Sequence, residues 1–556
     1  MEERSILERN LLALSVNNPE LCCQLSSAGP SMKITFIASQ RGSSVPALLS
    51  GGQRPTPFHS TVDPVKEGRR FLKLFQGAGY LVFLGIGGGY HITPFLEAKR
   101  VSRILLVDKD PEVLRAVLER IDLSSVLLDP RVRLQIGSDA EELQRFILSD
   151  YVPAIDGDLI TVPLRAVFDS DRKYFQEVLS SIESLIGKIA DDYTVQSQFG
   201  KKWFVNTLAN LQAAERSTIC IKPVRKAIVT GAGPSLELQI GELRRLKPKG
   251  FVIASDTSLP ALLQYDIKPD LVLSIDCQQV SYHHFLQGMP NDIPLVLDLA
   301  SPPVLTRLSE KTIFFSSGHP FSQYVTSSWR KFPFIDTSGG NVSHAAVSLA
   351  LFLGAEEIYL LGADFSFPEG KSYCRGTYIY PLFRAQENRV RPLESLFFSF
   401  ILKNNSIIKE RVQGALRYTT LPMISYKERL ENYLKSSSAV IIPLSGKGVP
   451  LNLPRRVDRK KNSIIGSILS AGAPKTDWRQ FLQNYLLSVE SLPEPYYPLS
   501  KYFSELSDEE QNLWITQYPA VATLRETPGK THLEGTQLLK SVRKWSVSVI
   551  RRYLEK

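Results

Sequence analysis

Polar side chains suited to ligand binding follow a short apolar run in the second half of the chain. Residues 358–361 are typical of a buried parallel strand, and Asp364 follows them. The loop beyond carries Tyr373, Arg375, Tyr378 and Tyr380. Because open parallel sheets bind ligands beyond the carboxyl ends of their strands, Asp364 and this loop are predicted to line a ligand site. The tyrosines stand in polar surroundings and are expected to lie outside the hydrophobic core.

A glycine-rich turn upstream offers a second set of polar groups. It consists of Ser338, Gly339, Gly340 and Asn341. Apolar residues then recur at helical spacing over residues 342–353, and Gly354 stands where a helix end favours a left-handed residue. The backbone N–H groups at the start of such a helix form an anion site. The same residue types also serve as ordinary N-cap and turn residues, so the pattern leaves both interpretations open.

Strand-like and helical patterns alternate from residue 223 to about residue 385, which predicts a mostly parallel sheet covered by helices. Glycine, serine and aspartate stand at the ends of the strand-like runs: Gly231, Gly233, Pro234, Ser235, Asp256, Ser258 and Asp276. Pro234 suits a first helical turn, and Ser235 offers a hydroxyl beside unpaired N–H groups. His319 follows a further strand-like run.

The N-terminal part has its own strand, turn and helix order. Gly85, Gly87 and Gly89 follow a strand pattern, and Asp108 ends the next one. This arrangement resembles the Rossmann-like half of S-adenosylmethionine methyltransferases, in which the acid binds ribose hydroxyls. Residues 159–178 lack the Asp/Asn-Pro-Pro-aromatic element of amino-methyltransferases. The glycine turn is therefore predicted to be structural, in a degenerate domain.

Length and composition bound the class of protein. With 556 residues, 43% apolar and 22% charged, the chain is expected to form about two to four soluble domains. Five cysteines without CxxC spacing argue for a reducing compartment and against a disulfide framework or a metal site. Because no secretory leader and no membrane-length apolar run is found, a cytoplasmic location without a transmembrane segment is predicted. The net charge of +10 suits an anionic ligand, and no nucleic-acid-binding module is recognised.

Four regions are predicted along the chain. They are an N-terminal Rossmann-like domain at residues 1–165, a helical bridge at 166–222, a central domain at 223–440 and a helical C-terminal region at 441–556. Within them, residues 386–440 are expected to be helical and residues 439–462 to form a loop. In the tail, Ser507 and Glu510 have the spacing of a capping box.

Four motifs, in this order, resemble the motility accessory factor family of flagellin glycosyltransferases. They are Gly-Ala-Gly-Pro-Ser-Leu at 231–236, the Pro269-Asp270…Asp276 stretch, the turn and helix at 340–346, and Leu-Gly-Ala-Asp at 361–364. That family shares its central domain with 6-hydroxymethylpterin pyrophosphokinase-like proteins. The resemblance implies an α/β fold: a Rossmann-like N-terminal domain, a doubly wound, mostly parallel central domain and a helical C-terminal region.

The central region is also similar to bacterial sialyltransferases that use CMP-activated nonulosonic acids. The similarity rests on the glycine-proline-serine turn, on Gly-x-Asp-Phe at 362–365, and on Tyr373 and Tyr378. It implies that the turn at 231–235 lies along the nucleotide, that residues 338–341 lie near the phosphate, and that the tyrosines reach the leaving phosphate oxygen. Tyrosine hydroxyls and backbone N–H groups stabilise such a charge without a metal ion. Asp256, Ser258 and Asp276 are predicted to complete the nucleotide site.

The general base of the sialyltransferases has no counterpart at the same place in this chain. Theirs follows the tyrosine loop, whereas no histidine stands between His344 and His532 here. Histidine is the usual base, so His319 and His344 are the local candidates. Each has an equally good interpretation as a structural residue, and Asp364 or Asp276 is an alternative base.

The resemblance implies a cytoplasmic enzyme that moves a nonulosonic acid of the pseudaminic or legionaminic type from CMP to Ser/Thr hydroxyls of flagellin. Flagellin, held by the C-terminal helices, and a nucleotide-sugar are then the partners, and no cofactor is required. One alternative is a 6-hydroxymethylpterin pyrophosphokinase that uses ATP and Mg²⁺, with Asp270, Asp276 and Asp364 as ligands. Another is a non-catalytic flagellin-binding assembly factor that kept the fold.

Overall fold

The computed structural model describes residues 5–29, 31–49, 54–75, 79–403, 406–412, 415–453, 466–527 and 534–555. By its internal contacts the chain divides into two compact units. The N-terminal unit comprises residues 1–200 and 489–546, and the central unit comprises residues 201–488 and 547–556. Both units contain a parallel sheet and several helices, so the predicted α/β class is confirmed.

Helices and strands alternate in the N-terminal part and lead into one long helix. The helices are α1 (Ile6–Asn17), α2 (Pro19–Ser27), α3 (Pro64–Leu74), α4 (Pro111–Arg120), α5 (Ser124–Leu127), α6 (Ala140–Asp150), α7 (Pro153–Asp156), α8 (Arg165–Ser170) and α9 (Arg172–Arg216). The strands are β1 (Ile34–Ala38), β2 (Ser44–Leu48), β3 (Thr56–Pro57), β4 (Tyr80–Leu84), β5 (Arg103–Asp108), β6 (Val132–Ile136) and β7 (Leu159–Pro163). The boundary between the units falls within α9, after Gly200.

The N-terminal unit is built on a parallel sheet in the order β6-β5-β4-β7, beside an antiparallel sheet in the order β1-β2-β3. Strand β4 is buried along its whole length, and Tyr80 and Phe83 are fully enclosed in the core. The next two strands of the sheet, β5 and β6, lie on one side of β4, whereas β7 lies on the other. The strand order therefore reverses at β4, and the glycine turn follows that strand.

The glycine turn after β4 packs against the protein itself. Gly85, Gly87 and Gly89 have φ angles of 94°, 51° and 72°, the left-handed region that favours glycine. A Cβ on Gly87 would also stand 2.6 Å from the side chain of Leu164. Backbone conformation and close packing within the protein therefore explain why glycine stands at these positions. This agrees with a structural role for the turn.

The central part of the chain continues the alternation. Its strands are β8 (Lys226–Thr230), β9 (Phe251–Ser255), β10 (Leu271–Ser274), β11 (Leu295–Asp298), β12 (Thr312–Phe315), β13 (Glu357–Leu361), β14 (Phe367–Pro368), β15 (Ile407–Val412), β16 (Ala415–Thr420) and β17 (Val440–Pro443). Its helices are α10 (Leu236–Leu246), α11 (Leu259–Gln264), α12 (Pro320–Ser328), α13 (Val342–Phe352), α14 (Ile379–Arg384), α15 (Leu393–Leu402) and α16 (Leu421–Lys435).

A seven-stranded parallel sheet in the order β12-β11-β10-β9-β8-β13-β17 forms the centre of this unit, counted over the described residues. The chain builds outwards from β8 to β12, then returns to the other side of β8 with β13. The strand order therefore reverses between β8 and β13, which is where open α/β sheets bind ligands. Helix α13 packs its buried face on the sheet and ends at Gly354, whose φ of 83° confirms the predicted left-handed residue.

Two expectations for the second half of the central unit are wrong. Residues 386–440 are not helical throughout, because β15 and β16 pair there as an antiparallel hairpin. Tyr418 of that hairpin is buried in a small cluster with Phe367 and Ile401, which stabilises the pair. The loop expected at residues 439–462 begins with β17, because its apolar residues pair with β13 and make β17 the edge strand of the sheet. Residues 454–462 of that loop lie outside the described residues.

The C-terminal helices are α17 (Trp478–Ser491), α18 (Leu499–Glu505), α19 (Asp508–Arg525) and α20 (Gly535–Leu554). The capping box predicted for Ser507 and Glu510 is confirmed at the start of α19. No helix of the residues described above is long and apolar enough to cross a bilayer.

The structure draws the boundaries differently from the four predicted regions. Residues 489–546 belong to the N-terminal unit, because α19 makes close contacts there. The Arg525 guanidinium donates hydrogen bonds to the carbonyl oxygens of Ala154 and Ile155 at 2.9 and 2.6 Å. The predicted bridge at 166–222 is mostly the single helix α9, which is shared between the two units.

Two glycines in α9 predict opposite effects of the same substitution. A Cβ on Gly200 would overlap the carbonyl group of Pro519 in α19, whereas nothing lies within 4 Å of one on Gly187. We expect Gly200→Ala to destabilise the protein by about 1–3 kcal/mol because of overpacking. Gly187→Ala is the matched control and should stabilise it by about 0.5–1 kcal/mol, since Gly is a poor helix former. Calorimetric melting measures both, and equal melting temperatures would contradict the α9–α19 contact.

Candidate active site in the central unit

The turns after β8 and β13 are joined where the strand order reverses. The Gly233 N–H donates to the carbonyl oxygen of Gly362 at 2.8 Å, and the Ser235 N–H donates to Asp364 Oδ2 at 2.8 Å. Glycine is needed here, because a Cβ on Gly231 or Gly233 would stand 2.6 Å from the Gly362 oxygen. The turn at 231–235 therefore uses these N–H groups within the protein. A nucleotide contact by the turn remains a prediction and would have to use other atoms.

Asp364 lies inside this junction rather than at its surface. It is 6% exposed, and burial raises the pKa of its carboxyl group although the bonds from Ser235 oppose that rise. The Ser235 hydroxyl in turn accepts a hydrogen bond from the Lys447 N–H at 2.7 Å. Pro234 lies in the first turn before α10, where its carbonyl oxygen accepts the Glu237 N–H at 3.2 Å. This geometry makes Asp364 an anchor of the β8 turn.

The turn at 338–341 caps helix α13. Asn341 Oδ1 accepts the His344 N–H at 3.0 Å, and the Ser338 N–H donates to Asp336 at 2.8 Å. Gly340 has a φ of 75°, which the turn requires. Within the described part of the chain, the N–H groups of Val342 and Ser343 have no hydrogen-bond partner. The start of α13 thus presents unpaired donors, and anion binding by them stays a prediction.

Helix α13 begins next to the β8 turn. The hydroxyl oxygen of Ser343 lies 3.2 Å from the position that a Cβ on Gly231 would take. The unpaired N–H groups of α13 therefore face the point where the strand order reverses. Partial positive charge at a helix N-terminus favours a phosphate there.

The loop that carries the tyrosines is held over the same turn by backbone contacts. The Cys374 N–H donates to the Ala232 carbonyl oxygen at 2.9 Å, and the Arg375 N–H donates to Glu237 at 2.8 Å. On its other side the Gln287 side chain donates to the Gly376 carbonyl oxygen at 3.2 Å. These bonds fix the loop between the start of α10 and the segment after β10.

Tyr373 and Tyr378 lie side by side in this loop, with ring centroids 6.2 Å apart. Both are half-buried, and neither hydroxyl has a hydrogen-bond partner among the residues that the structure covers. Burial raises the pKa of both phenols, and the nearby charge of Asp256 raises it further. Tyr380 differs, because it is 8% exposed and packs against Phe397. The expectation that all the tyrosines lie outside a core is therefore wrong for Tyr380.

Two aspartates at the ends of β9 and β10 complete this group. Asp256 is buried, with Oδ1 accepting the Thr257 N–H at 2.6 Å and Oδ2 accepting the Ser274 hydroxyl at 2.7 Å. Asp276 is half-buried, and one oxygen accepts the Gln278 N–H at 2.9 Å. Burial raises the pKa of Asp276, and the charge of Asp256 adds to the rise.

Ser258 does not reach this group. It is fully buried, and its hydroxyl donates to the carbonyl oxygens of Thr230 and Ser255, at 3.1 and 2.9 Å. It therefore links β8 to the turn after β9, and its predicted nucleotide contact has no support from this geometry.

His284 joins the tyrosines and is not among the residues predicted from the sequence. It lies in the short 3-10 helix Gln279–Phe285, and its ring meets that of Tyr378 edge-on with 4.6 Å between centroids. Neither ring nitrogen has a hydrogen-bond partner in the described chain, and Nδ1 is buried. Its charge opposes the rise of the Asp276 pKa that burial causes. The sequence signal that could have pointed to it is the adjacent pair His283 and His284, in the segment that follows β10.

The two predicted histidines lie elsewhere. His319 follows β12, four strands from β8, which at about 4.8 Å a strand is roughly 19 Å away. Its ring stacks on Trp203 with 4.0 Å between centroids. His344 is 1% exposed, with Nε2 3.2 Å from Asp336 Oδ2 and its ring 4.6 Å from that of Tyr433. Burial lowers the pKa of His344, which fits a structural histidine.

The three aspartates of the pyrophosphokinase alternative are not brought together. Asp270 precedes β10 and Asp276 follows it, so at about 3.3 Å a residue they lie roughly 20 Å apart along the strand. Asp270 accepts the Val252 N–H at 2.7 Å, and Asp364 is engaged with Ser235. No group of three or more metal-ligating side chains is found in the parts of the chain described.

Two family models match the chain. Residues 60–150 match the N-terminal domain of the glycosyltransferase Maf, and residues 202–370 match the 6-hydroxymethylpterin diphosphokinase MptE-like family. The second match, at residues 202–370, includes the turn after β8, Asp256, Asp276, His284 and the start of α13.

Similar proteins include two uncharacterised proteins of Treponema pallidum (strain Nichols). One is 33% identical over 152 residues, which is 27% of this chain and 54% of the relative, so the match spans about half of that protein. The other is 31% identical over 173 residues, 29% of this chain and 79% of the relative.

The solved structure of the Maf glycosyltransferase from Magnetospirillum magneticum AMB-1 is similar to this one. The matched part covers 99% of this chain and 96% of the Magnetospirillum chain. The TM-score is 0.56 at 15% identity, so the two share a fold. The chain thus carries a region similar to the Maf N-terminal domain, followed by a region similar to MptE-like proteins.

Proposed function

We propose that the central unit transfers a nonulosonic acid from CMP to Ser/Thr hydroxyl groups of flagellin. The observation that carries the proposal is the pair Tyr373 and Tyr378, whose hydroxyls have no partner among the described residues and lie close to Asp256. The match of residues 60–150 to the N-terminal domain of the glycosyltransferase Maf supports glycosyl transfer. The similarity of the β8 turn and the tyrosine loop to CMP-sugar enzymes supports the donor.

The reaction needs donors that reach the leaving group. The bond between the anomeric carbon and the CMP phosphate oxygen breaks, a bond to the acceptor oxygen forms, and CMP leaves as an anion. Phenols have an ordinary pKa of about 10, and burial raises the pKa of both tyrosines further. Tyr373 and Tyr378 therefore carry their protons at neutral pH and can act as hydrogen-bond donors. The unpaired N–H groups of Val342 and Ser343 are suited to the phosphate. Donors placed where charge develops stabilise the transition state most.

The acceptor hydroxyl must lose a proton as it attacks. His284 is the base that the geometry supports, because it touches Tyr378 and has no competing hydrogen bond within the described chain. His319 stacks on Trp203, and His344 lies 3.2 Å from Asp336, so each has a partner of its own.

Flagellin as the acceptor rests on the resemblance of the motifs to the motility accessory factor family, as does a role of the C-terminal helices in holding it. A second candidate is the pyrophosphokinase, which the MptE-like match at residues 202–370 favours. Its predicted metal ligands lie apart, which favours the transferase. A non-catalytic assembly factor would keep the fold but have no use for unpaired tyrosine hydroxyls.

Nucleotide binding separates the first two candidates. CMP and CDP are expected to stabilise the protein without divalent metal, by about 2.7 kcal/mol at one hundred times the dissociation constant. ATP with Mg²⁺ is expected to have no such effect. Thermal melting of the full chain with each nucleotide measures this. Stabilisation by ATP and Mg²⁺, with no effect of CMP or CDP, would favour the pyrophosphokinase.

The tyrosine hydroxyls are expected to act on the rate. Tyr373→Phe and Tyr378→Phe should each lower kcat and kcat/KM together by about a hundred- to thousandfold, because each removes a donor used as charge develops. Tyr380→Phe is the matched control, since its hydroxyl contacts the Tyr373 carbonyl oxygen at 3.3 Å. It should lose about 0.5–1.5 kcal/mol of stability with little change in rate. Flagellin modification is the activity measured; full modification by the double variant would favour the assembly factor.

The neighbouring histidines provide a test of the base. His284→Ala should lower kcat by about a hundred- to ten-thousandfold and remove the fall in rate at acidic pH, because that fall reports protonation of the base. His283→Ala is the control, since His283 is exposed and its ring lies 6.5 Å from that of Tyr378. Rate–pH profiles of both variants decide the matter. An unchanged profile in His284→Ala would assign the base elsewhere.

A further inference from the structure

The central unit contains a cavity beside the junction of the β8 and β13 turns. It lies at the carboxyl ends of β13 and β17, between the segment 443–451 and the strands β15 and β16, and has a volume of about 600 Å³. That volume is within the roughly 300–1,000 Å³ of ligand sites. Its wall is largely aliphatic, and includes Leu360, Pro368, Leu416, Val449 and Leu451.

The junction itself forms one side of the cavity. The Lys447 N–H donates to the Ser235 hydroxyl at 2.7 Å, and the Val449 N–H donates to the Asp364 carbonyl oxygen at 2.8 Å. A Cβ on Gly448 would stand 2.5 Å from Asp364 Cα, so this close approach needs glycine. The cavity therefore adjoins the β8 turn, next to the groups proposed to bind the donor.

The chain between Ser445 and Gly448 presents main-chain donors at this cavity. It follows directly from β17, which is the edge strand of the parallel sheet. Among the residues that the structure describes, the N–H groups of Ser445, Gly446 and Gly448 have no hydrogen-bond partner. Unpaired main-chain groups at a sheet edge, beside pockets for side chains, are the arrangement that binds an extended peptide.

The charged side chains of the wall are already paired. Lys447 Nζ lies 2.6 Å from Glu369, and the Arg417 guanidinium lies 2.6 Å from Glu410. The Asp364 carboxylate accepts the Ser235 N–H. An anion would thus find no unpaired cation in the described lining. That lining also has no aromatic ring on which a nucleobase could stack. An uncharged peptide segment fits these walls better than a nucleotide.

We propose that this cavity binds a short uncharged segment of the acceptor polypeptide, next to the Ser or Thr that is modified. The main chain of that segment bonds to the N–H groups of Ser445, Gly446 and Gly448, and an apolar side chain packs against the aliphatic wall. The proposal rests on the proposed function, in which the acceptor is flagellin. The cavity positions the acceptor beside the donor and takes no part in the bond changes.

Binding of purified, unmodified flagellin to the full chain tests the proposal without any nucleotide-sugar. Titration calorimetry should show binding. Amide hydrogen exchange at residues 445–448 should slow in the complex, because the unpaired N–H groups become bonded. An absence of binding, or binding that leaves exchange at these residues unchanged, would overturn the proposal.

Two matched pairs of variants place the binding from opposite walls of the cavity. Ser445 lines the cavity, whereas Ser438, before β17, does not, and both are exposed. Val412 and Ile408 lie on one face of β15 and are 38% and 37% exposed, yet only Val412 lines the cavity. Ser445→Trp and Val412→Trp should each weaken flagellin binding by at least about tenfold, because the indole occupies the cavity. Ser438→Trp and Ile408→Trp should leave it unchanged.

The response to CMP separates a failure of this proposal from a failure of the proposed function. Ser445→Trp and Val412→Trp should keep the wild-type stabilisation by CMP, which also shows that both variants fold. Wild-type affinity for flagellin in both variants would overturn the role of the cavity and leave the transferase intact. Loss of the CMP response in the wild-type protein would instead count against the proposed function.

Discussion

The hydrogen bond from the Ser235 N–H to the Asp364 carboxylate joins the two turns on which the central site depends. It links the ends of β8 and β13, neighbouring strands that lie far apart in the sequence, at the point where the strand order reverses. The contact needs glycine at 233, because a side chain there would enter the Gly362 carbonyl group. The tyrosine loop is bound to the same turn through the Cys374 N–H, so the positions of both phenols follow from this junction.

Electrostatics in the site favours neutral donors beside buried carboxylates. Asp256 is held by Thr257 and Ser274, so its charge is balanced by hydrogen bonds within the protein. Burial raises the pKa of Tyr373 and Tyr378, and that charge adds to the rise, which disfavours phenolate. A protonated phenol donates to an anionic leaving group without repelling it, whereas a phenolate would repel it. Both phenols are therefore in the protonated form that the proposed reaction uses.

Both units place a glycine turn after the first strand of a parallel sheet, and both turns are closed by the protein itself. In the N-terminal unit Asp108 and His59 take the N–H groups, and in the central unit Asp364 and Gly362 do so. An N–H group that is already bound to the protein adds little to ligand affinity, because one hydrogen bond would only replace another. In the central unit, the described groups near the turn that keep unpaired donors are the start of α13 and the two phenols of the tyrosine loop.

The sequence by itself determined the alternation of strands and helices, the left-handed Gly354, the capping box at Ser507 and the glycine turns. These are local: spacing of apolar residues and turn chemistry act over a few residues. It also placed Asp364 and the tyrosines at a strand end. The tertiary structure alone decided that Asp364 is an anchor, that Tyr380 is core, that His319 lies four strands away and that His284 contacts Tyr378. Those facts depend on strand order and on which loops meet, and residues distant in the sequence set them through packing.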